Sequence, residues 1–221
     1  MCQSDTMAYI VMEYIEGGEL FTRITAKENH GAGLGENLTK FYAWQLFGAL
    51  EYLHTNGIVH RDIKPENILL LKKDAYTVAK LTDFGLSRIT ERSLKTLCGT
   101  QIYMAPEIWK AVHYGCKVDV WALGVLIFAS LCGYPPFSPD YKDWTLEQQI
   151  LRGRLVFYKR WNNISVSARE FVRHCLKVDP EKRFSASQAL SDKWFQDPII
   201  DEANRVVQSY IVSIPSGTII F

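Results

Sequence analysis

The sequence predicts an α+β fold that is mostly helical, with small β-hairpins feeding a helical body. Three observations lead there. Leu38, Tyr42, Leu46, Leu50 and Leu53 recur at three- and four-residue steps, the spacing of one helix face. Two short apolar runs, 68–71 and 78–81, flank the polar turn Lys72-Lys73-Asp74. Past Pro106, helical patterns follow one another to near the end of the chain.

Residues 8–14 are short, apolar and β-branched enough for a strand, which Gly17-Gly18 breaks. Residues 19–27 read as helix, followed by a turn carrying Gly31, Gly33 and Gly35. Asn37 is the predicted N-cap of the long amphipathic helix, and Gly57 its stop. The 68–71 and 78–81 runs pair as a hairpin. Residues 118–132 are the most apolar stretch, and 146–152 form a short amphipathic piece. Ser165 or Ser167 is placed to cap 168–176, and Ser185 to cap 186–190. Residues 206–221 alternate Ile and Val with Ser, Pro and Gly and carry no charge. They read as an irregular tail, or as a strand pairing with an exposed edge.

A length of 221 residues fits one large domain, with no solenoid repeat and no linker that divides it. Hydrophobic residues at 48% and charged ones at 22% exclude a disordered chain. With 25 Lys+Arg against 24 Asp+Glu, the net charge of +1 argues against nucleic-acid binding by bulk electrostatics. Cys2, Cys98, Cys116, Cys132 and Cys175 are scattered with no C-x-x-C pair, which predicts reduced thiols in an intracellular protein. No secretory signal is expected, because Glu13 interrupts the first apolar stretch. Residues 120–139 lack charge, yet Gly133 and Pro135-Pro136 end a helix there. The remaining span of about 13 residues, roughly 20 Å, is too short for a bilayer core of ~30 Å, so no membrane role is expected.

The chemistry concentrates in His60-Arg61-Asp62-Ile63-Lys64-Pro65-Glu66-Asn67, followed after the hairpin by Asp83-Phe84-Gly85. Phosphoryl transfer needs a carboxylate to orient the attacking hydroxyl and a cation against the moving phosphoryl group. It also needs hard oxygen ligands for Mg²⁺. Asn and Asp oxygens suit Mg²⁺ better than zinc.

These motifs resemble those of the eukaryotic serine/threonine protein kinases. The resemblance runs in order from Tyr9 to about Phe195. It takes in Val11-Met12-Glu13-Tyr14, the loop around Asp62, Asp83-Phe84-Gly85, Gly99-Thr100 and Ala105-Pro106-Glu107. It continues through Asp119-Val120-Trp121-Ala122-Leu123-Gly124, Gly133-Tyr134-Pro135-Pro136-Phe137 and Asp179-Pro180-Glu181-Lys182-Arg183-Phe184. Lys64 is the serine/threonine-type feature. Glu16-Gly17-Gly18-Glu19-Leu20-Phe21 and Leu97-Cys98-Gly99-Thr100 are most similar to the calcium/calmodulin-dependent kinase group, checkpoint kinase 2-like members included.

The resemblance implies a kinase-like domain over 9–196, with a short leader at 1–8 and a tail at 197–221. Asp62 would be the catalytic base, Lys64 would contact the γ-phosphate, and Asn67 and Asp83 would hold Mg²⁺. The backbone of Glu13 and Ile15 would bind adenine, with Met12 at the back of the pocket and Leu69 beneath the base. Glu19 would reach the ribose and a substrate arginine, and Glu66 a basic substrate residue. Thr100 would support Asp62 and Lys64. Asp119 would brace the catalytic loop, Glu107 and Arg183 would form a buried ion pair, and His60, Trp121 and Phe128 would be packed core residues. Arg61 would pair with a phosphate placed by an upstream kinase, Thr96 being the candidate acceptor.

No G-x-G-x-x-G or strand lysine stands before the hinge in these residues. The resemblance therefore covers the large lobe and hinge, with the small lobe absent and the hinge strand expected as an unpaired edge. ATP and Mg²⁺ are the implied ligands, and Ser/Thr proteins with Arg about three residues upstream the implied substrates. The chain alone is expected to be poorly active. Two alternatives stay open: a non-catalytic pseudokinase or truncated isoform acting as a substrate- or regulator-binding module, and an enzyme whose apolar tail covers the missing lobe's footprint. Location is expected in nucleus or cytoplasm, the nucleus by resemblance.

Overall fold

The computed structural model describes residues 2–3, 8–9, 12–89 and 100–214. Thr96, Cys98, Gly99 and Val11 lie outside the described residues. At the N-terminal end Cys2–Gln3 (β1) pairs antiparallel with Ala8–Tyr9 (β2). Ala8–Tyr9, which leads toward the hinge, therefore has a partner on one side and, among the described residues, remains an edge on the other.

Leu20–Ile24 (α1) is shorter than the predicted 19–27. Thr25 ends it, donating its N–H and hydroxyl to the Phe21 carbonyl at 3.0 and 2.9 Å. The long helix Glu36–Thr55 (α2) is capped by Gly35 at φ 76, and Asn37 already lies inside its first turn. Thr39 explains the difference. Its N–H and hydroxyl both donate to the Gly35 carbonyl, at 3.1 and 2.7 Å, which sets the start two residues early. The apolar face is buried at Tyr42, Leu46, Leu50 and Leu53.

Ile58–Val59 (β3), Ile68–Leu70 (β4), Ala79–Leu81 (β5) and Arg88–Ile89 (β6) make two antiparallel pairs, β3 with β6 and β4 with β5. The predicted hairpin is the second pair. Pro106–Trp109 (α3) precedes Lys117–Cys132 (α4), which is buried along nearly its whole length, as its uninterrupted apolar sequence requires. Among the described residues no helix is long and apolar enough to cross a membrane.

Leu146–Arg152 (α5), Val166–Cys175 (α6) and Ala186–Leu190 (α7) have serine or threonine caps. Of the two candidates before α6, Ser165 is the cap, accepting the Ala168 N–H at 3.0 Å. Thr145 and Ser185 each form reciprocal caps with the glutamine three residues on.

Residues 206–213 lie in a further helix, Ile199–Ser213 (α8), and are neither irregular nor a strand. The helical spacing is carried by Ile200, Ala203, Val206 and Tyr210. A reading that begins at 206 therefore sees only half of the apolar face. Asp197 accepts the Ile199 N–H at 3.0 Å ahead of the first turn.

The core forms where α4 packs on α2 and α6, while α2 carries α7 and α8 on its other sides. Trp121 stacks on Phe137 at 5.6 Å and Phe128 meets Trp161 at 4.7 Å, all fully buried, so these aromatics are structural. The end of α4 is locked to the glycine turn. Gly133 sits at φ 78, where a Cβ would overlap the Gly31 carbonyl, and Leu34 donates to Ser130 O at 2.7 Å. Cys116, Cys132 and Cys175 are free thiols, and burial pushes Cys132 up to about 11.

Candidate active site

The loop between β3 and β4 carries His60 to Asn67 and is held from beneath by α4. Asp119, 1% exposed, accepts the His60 N–H at 2.9 Å and the Arg61 N–H at 2.8 Å. It also meets His54 Nε2 at 3.0 Å. Arg61 sits at φ 70, in the left-handed region that disfavours a long side chain, so these bonds hold a backbone conformation the local sequence would not choose. This is the bracing expected of Asp119.

The strained turn presents Asp62 toward two partners. Lys64 Nζ donates to Asp62 Oδ2 at 2.7 Å, and Asn67 Nδ2 donates to the same oxygen at 2.9 Å and to the Asp62 carbonyl at 2.9 Å. Three of the predicted polar groups thus converge within one loop. Asp62 is 7% exposed and Lys64 about a fifth exposed, so the ion pair stands at the rim of the core and in reach of a ligand.

His60 is a packed residue, as expected, with a defined connecting role. Its Nε2 lies 3.0 Å from the Thr82 carbonyl, its Nδ1 accepts the Asp62 N–H at 3.3 Å, and its ring lies 4.9 Å from that of Phe84. The loop at Asp62 and the Asp83-Phe84-Gly85 segment are therefore packed through one imidazole. Thr82 reinforces this by donating its N–H and hydroxyl to the Asn67 carbonyl, at 2.9 and 3.1 Å. Asp83 follows directly, exposed, in the left-handed region at φ 61, accepting the Gly85 N–H at 3.2 Å.

A Mg²⁺ site can be tested on these donors. The Asn67 amide nitrogen is committed to Asp62, and its Oδ1 accepts no hydrogen bond among the described residues. One amide oxygen and one exposed carboxylate, on segments joined by the Thr82 N–H to Asn67 carbonyl bond, are the sparse protein set that suits Mg²⁺ shared with phosphates. No cluster of three or more His, Cys, Asp or Glu suited to a metal occurs among the described residues. The donors thus fit a magnesium–nucleotide complex better than a metal held by protein alone.

The other predicted residues are placed as follows. Glu19 forms an antiparallel bridge with Leu69, so the candidate ribose and adenine-floor residues are neighbours. Glu66 is exposed, and its charge adds to the burial that raises the Tyr103 hydroxyl well above its usual range. Thr100 lines a small cavity with Asp62, Tyr103 and Met104, but no hydrogen bond joins it to Asp62 or Lys64. Met12 is 81% exposed rather than lining a pocket, and Tyr14 is 87% exposed, while Ile15 is half-buried. The Arg61 side chain is engaged by the Leu86 carbonyl at 2.5 Å and the Tyr114 hydroxyl at 3.2 Å.

Sequence reasoning missed two residues. Lys80 Nζ contacts both Glu13 and the Tyr210 hydroxyl, and that hydroxyl donates to Glu13 Oε1 at 3.0 Å. Burial alone would raise the Glu13 carboxyl, but these hydrogen bonds and the Lys80 charge hold it below the usual range. No local signal could have found this cluster, since its members come from the hinge, β5 and α8.

Comparison with known proteins shows that the protein kinase domain family matches residues 1–195. The chain belongs to the protein kinase family. The chain is 44% identical over 191 residues to the serine/threonine-protein kinase chk-2 of Caenorhabditis elegans, covering 86% of this chain and 40% of that protein. It is 45% identical over 194 residues to the calcium/calmodulin-dependent protein kinase type 1B of Rattus norvegicus, covering 87% and 55%. The ovarian-specific serine/threonine-protein kinase Lok of Drosophila melanogaster is 39% identical over 207 residues, covering 90% and 42%. The chain thus spans about half the length of these relatives, and it fits the calcium/calmodulin-dependent and checkpoint group. Its mostly helical fold with small strand pairs fits that family.

Proposed function

We propose that this kinase supplies the catalytic floor for transfer of the ATP γ-phosphoryl group to serine or threonine in proteins. The observation that carries the reading is the convergence of Lys64 Nζ and Asn67 Nδ2 on one oxygen of Asp62, at 2.7 and 2.9 Å. The second oxygen of Asp62 is left to accept the acceptor hydroxyl's hydrogen bond and orient its lone pair for attack. Lys64, already beside that carboxylate, lies where a cation offsets charge gathering on the transferred group. Asn67 Oδ1 and the Asp83 carboxylate would hold Mg²⁺, which would neutralise the polyphosphate. The hinge backbone at Glu13 and Ile15 takes adenine, with Leu69 below it and Glu19 at the ribose. Glu19 and Glu66 would favour substrates with arginine upstream of the acceptor. Thr100 contributes by shaping the wall beside Asp62, and phosphorylation of Thr96 by an upstream kinase would regulate the segment. The 197–221 region acts as a tail to the 9–196 domain, and the protein works in nucleus or cytoplasm.

A second reading, a non-catalytic module that binds substrates or regulators, draws on the exposure of Met12 and Tyr14 at the hinge. Within these 221 residues no Gly-rich loop or strand lysine supplies a roof over the phosphates. One charged hydrogen bond is worth roughly 1.5–3 kcal/mol, so ATP affinity from the floor alone would be low. Titration calorimetry with Mg·ATP decides between the readings, with Asp83→Ala as the control. Binding that disappears in Asp83→Ala supports the nucleotide site, whereas no binding by the parent chain favours the interaction module.

A further inference from the structure

The hinge stretch 12–16 has no regular structure, and Met12, Glu13 and Tyr14 are exposed. Among the described residues no backbone hydrogen bond ties 12–16 to the body; the first beyond it is Leu70 N–H to Gly18 O, at 2.9 Å. Its polar attachment is the Glu13 side chain, held by Lys80 from β5 and Tyr210 from α8. Tyr210 is well placed for this. Its ring centroid lies 4.2 Å from the Lys80 ammonium, and its hydroxyl reaches both the ammonium and the carboxylate. The helix bearing it is anchored separately, through Trp44 Nε1–H to Asn204 Oδ1 at 2.9 Å and Lys40 to Asp197 at 2.6 Å.

We propose that Tyr210 is a positioning residue for the nucleotide: with Lys80 it fixes Glu13, and so the hinge backbone on which adenine rests. The inference depends on the nucleotide reading above and extends it to a residue of the C-terminal helix. A loose hinge must be ordered when the purine binds, at a cost in conformational entropy, and a tethered one is already ordered. Tyr210 touches no nucleotide atom in this account. It acts through Glu13 alone.

The test uses adenosine, which engages the hinge without calling on phosphate-binding groups, titrated into the 221-residue chain. Tyr210→Phe keeps the ring beside Lys80 and removes the hydroxyl. It is expected to weaken adenosine about three- to tenfold, the range of one modest hydrogen bond. Amide hydrogen exchange within α8 should stay as in the parent in the same variant, which separates loss of the hydroxyl contact from undocking of the helix. Asn204→Ala loosens α8 at its other anchor and is expected to leave adenosine affinity unchanged. Equal adenosine affinity in Tyr210→Phe and parent overturns the inference and leaves the nucleotide reading standing. Equal weakening by Asn204→Ala also overturns it, because helix docking in general would then be the cause. A parent chain that binds no adenosine sinks both.

Discussion

The Arg183 guanidinium donates two parallel hydrogen bonds to Glu107, Nη1 to Oε1 at 2.7 Å and Nη2 to Oε2 at 2.8 Å. Arg183 is 1% exposed and Glu107 6%, and the remaining guanidinium donors reach the Lys117 carbonyl at 2.8 Å and the Lys177 carbonyl at 3.0 Å. The pair therefore ties α3 to the start of α4 and to the 177–183 turn. Removing one partner strands a buried charge. Arg183→Met is expected to lower unfolding free energy by about 3–5 kcal/mol in urea titrations. Adding Glu107→Leu should restore part of it, and a single-variant loss below ~1 kcal/mol would contradict the role.

Asp119 holds the Arg61 backbone at φ 70 through the N–H groups of His60 and Arg61. Asp119→Ala leaves both donors buried without an acceptor, at about 1–3 kcal/mol each. Amide exchange at His60 and Arg61 should rise far more than at the α2 core. Uniform acceleration across the chain would mean that Asp119 only stabilises the fold.

Asp62→Asn preserves shape and removes the charge that Lys64 and Asn67 share. Where the parent protein phosphorylates a serine peptide, the rate constant at saturating ATP is expected to fall about 10²–10⁴-fold, with little change in ATP affinity. A fall in affinity with the rate unchanged would remove Asp62 from the chemistry.

Two carboxylates predict the acid limb of stability. At Glu36 burial alone would raise the pKa. Hydrogen bonds from the Ser165 hydroxyl and N–H, at 2.6 and 2.8 Å, and from Trp194 Nε1–H at 3.0 Å, with the charge of Lys40, hold it below the usual range. Asp197 is lowered chiefly by its hydrogen bond from Lys40 at 2.6 Å, with help from the Ile199 N–H. A depressed folded pKa contributes stability that is full above the unfolded value of roughly 4 and is lost as pH falls through the folded one. Thermal melts should therefore show Tm dropping from about pH 5 to about pH 3. Lys40→Met should flatten that slope; an unchanged slope would assign the acid sensitivity to other groups.

Much of the fold was legible because its signals are local. The faces of α2 and α4, the caps at Ser165 and Ser185 and the hairpin around 72–74 depend on residues within a few positions of one another. The boundaries that shifted did so where a neighbour competed. Thr39 drew the α2 cap to Gly35, and the face of α8 began before the uncharged tail that hid it.

By itself the sequence determined the residue types and spacing of the loop around Asp62, and with them the family, since contiguous residues keep their order whatever the packing. Tertiary structure alone decided how those groups meet. Asp119 reaches the loop from 58 residues beyond Arg61, and Tyr210 reaches Glu13 across 197. A helix period reports which face of α8 is apolar, but not which surface will bury it. Nor does it tell which polar side chain will land beside the hinge, because that is set by the packing of α8 along α2. Local chemistry was therefore readable from the order of residues, and the long-range supports of that chemistry existed only once the helices had packed.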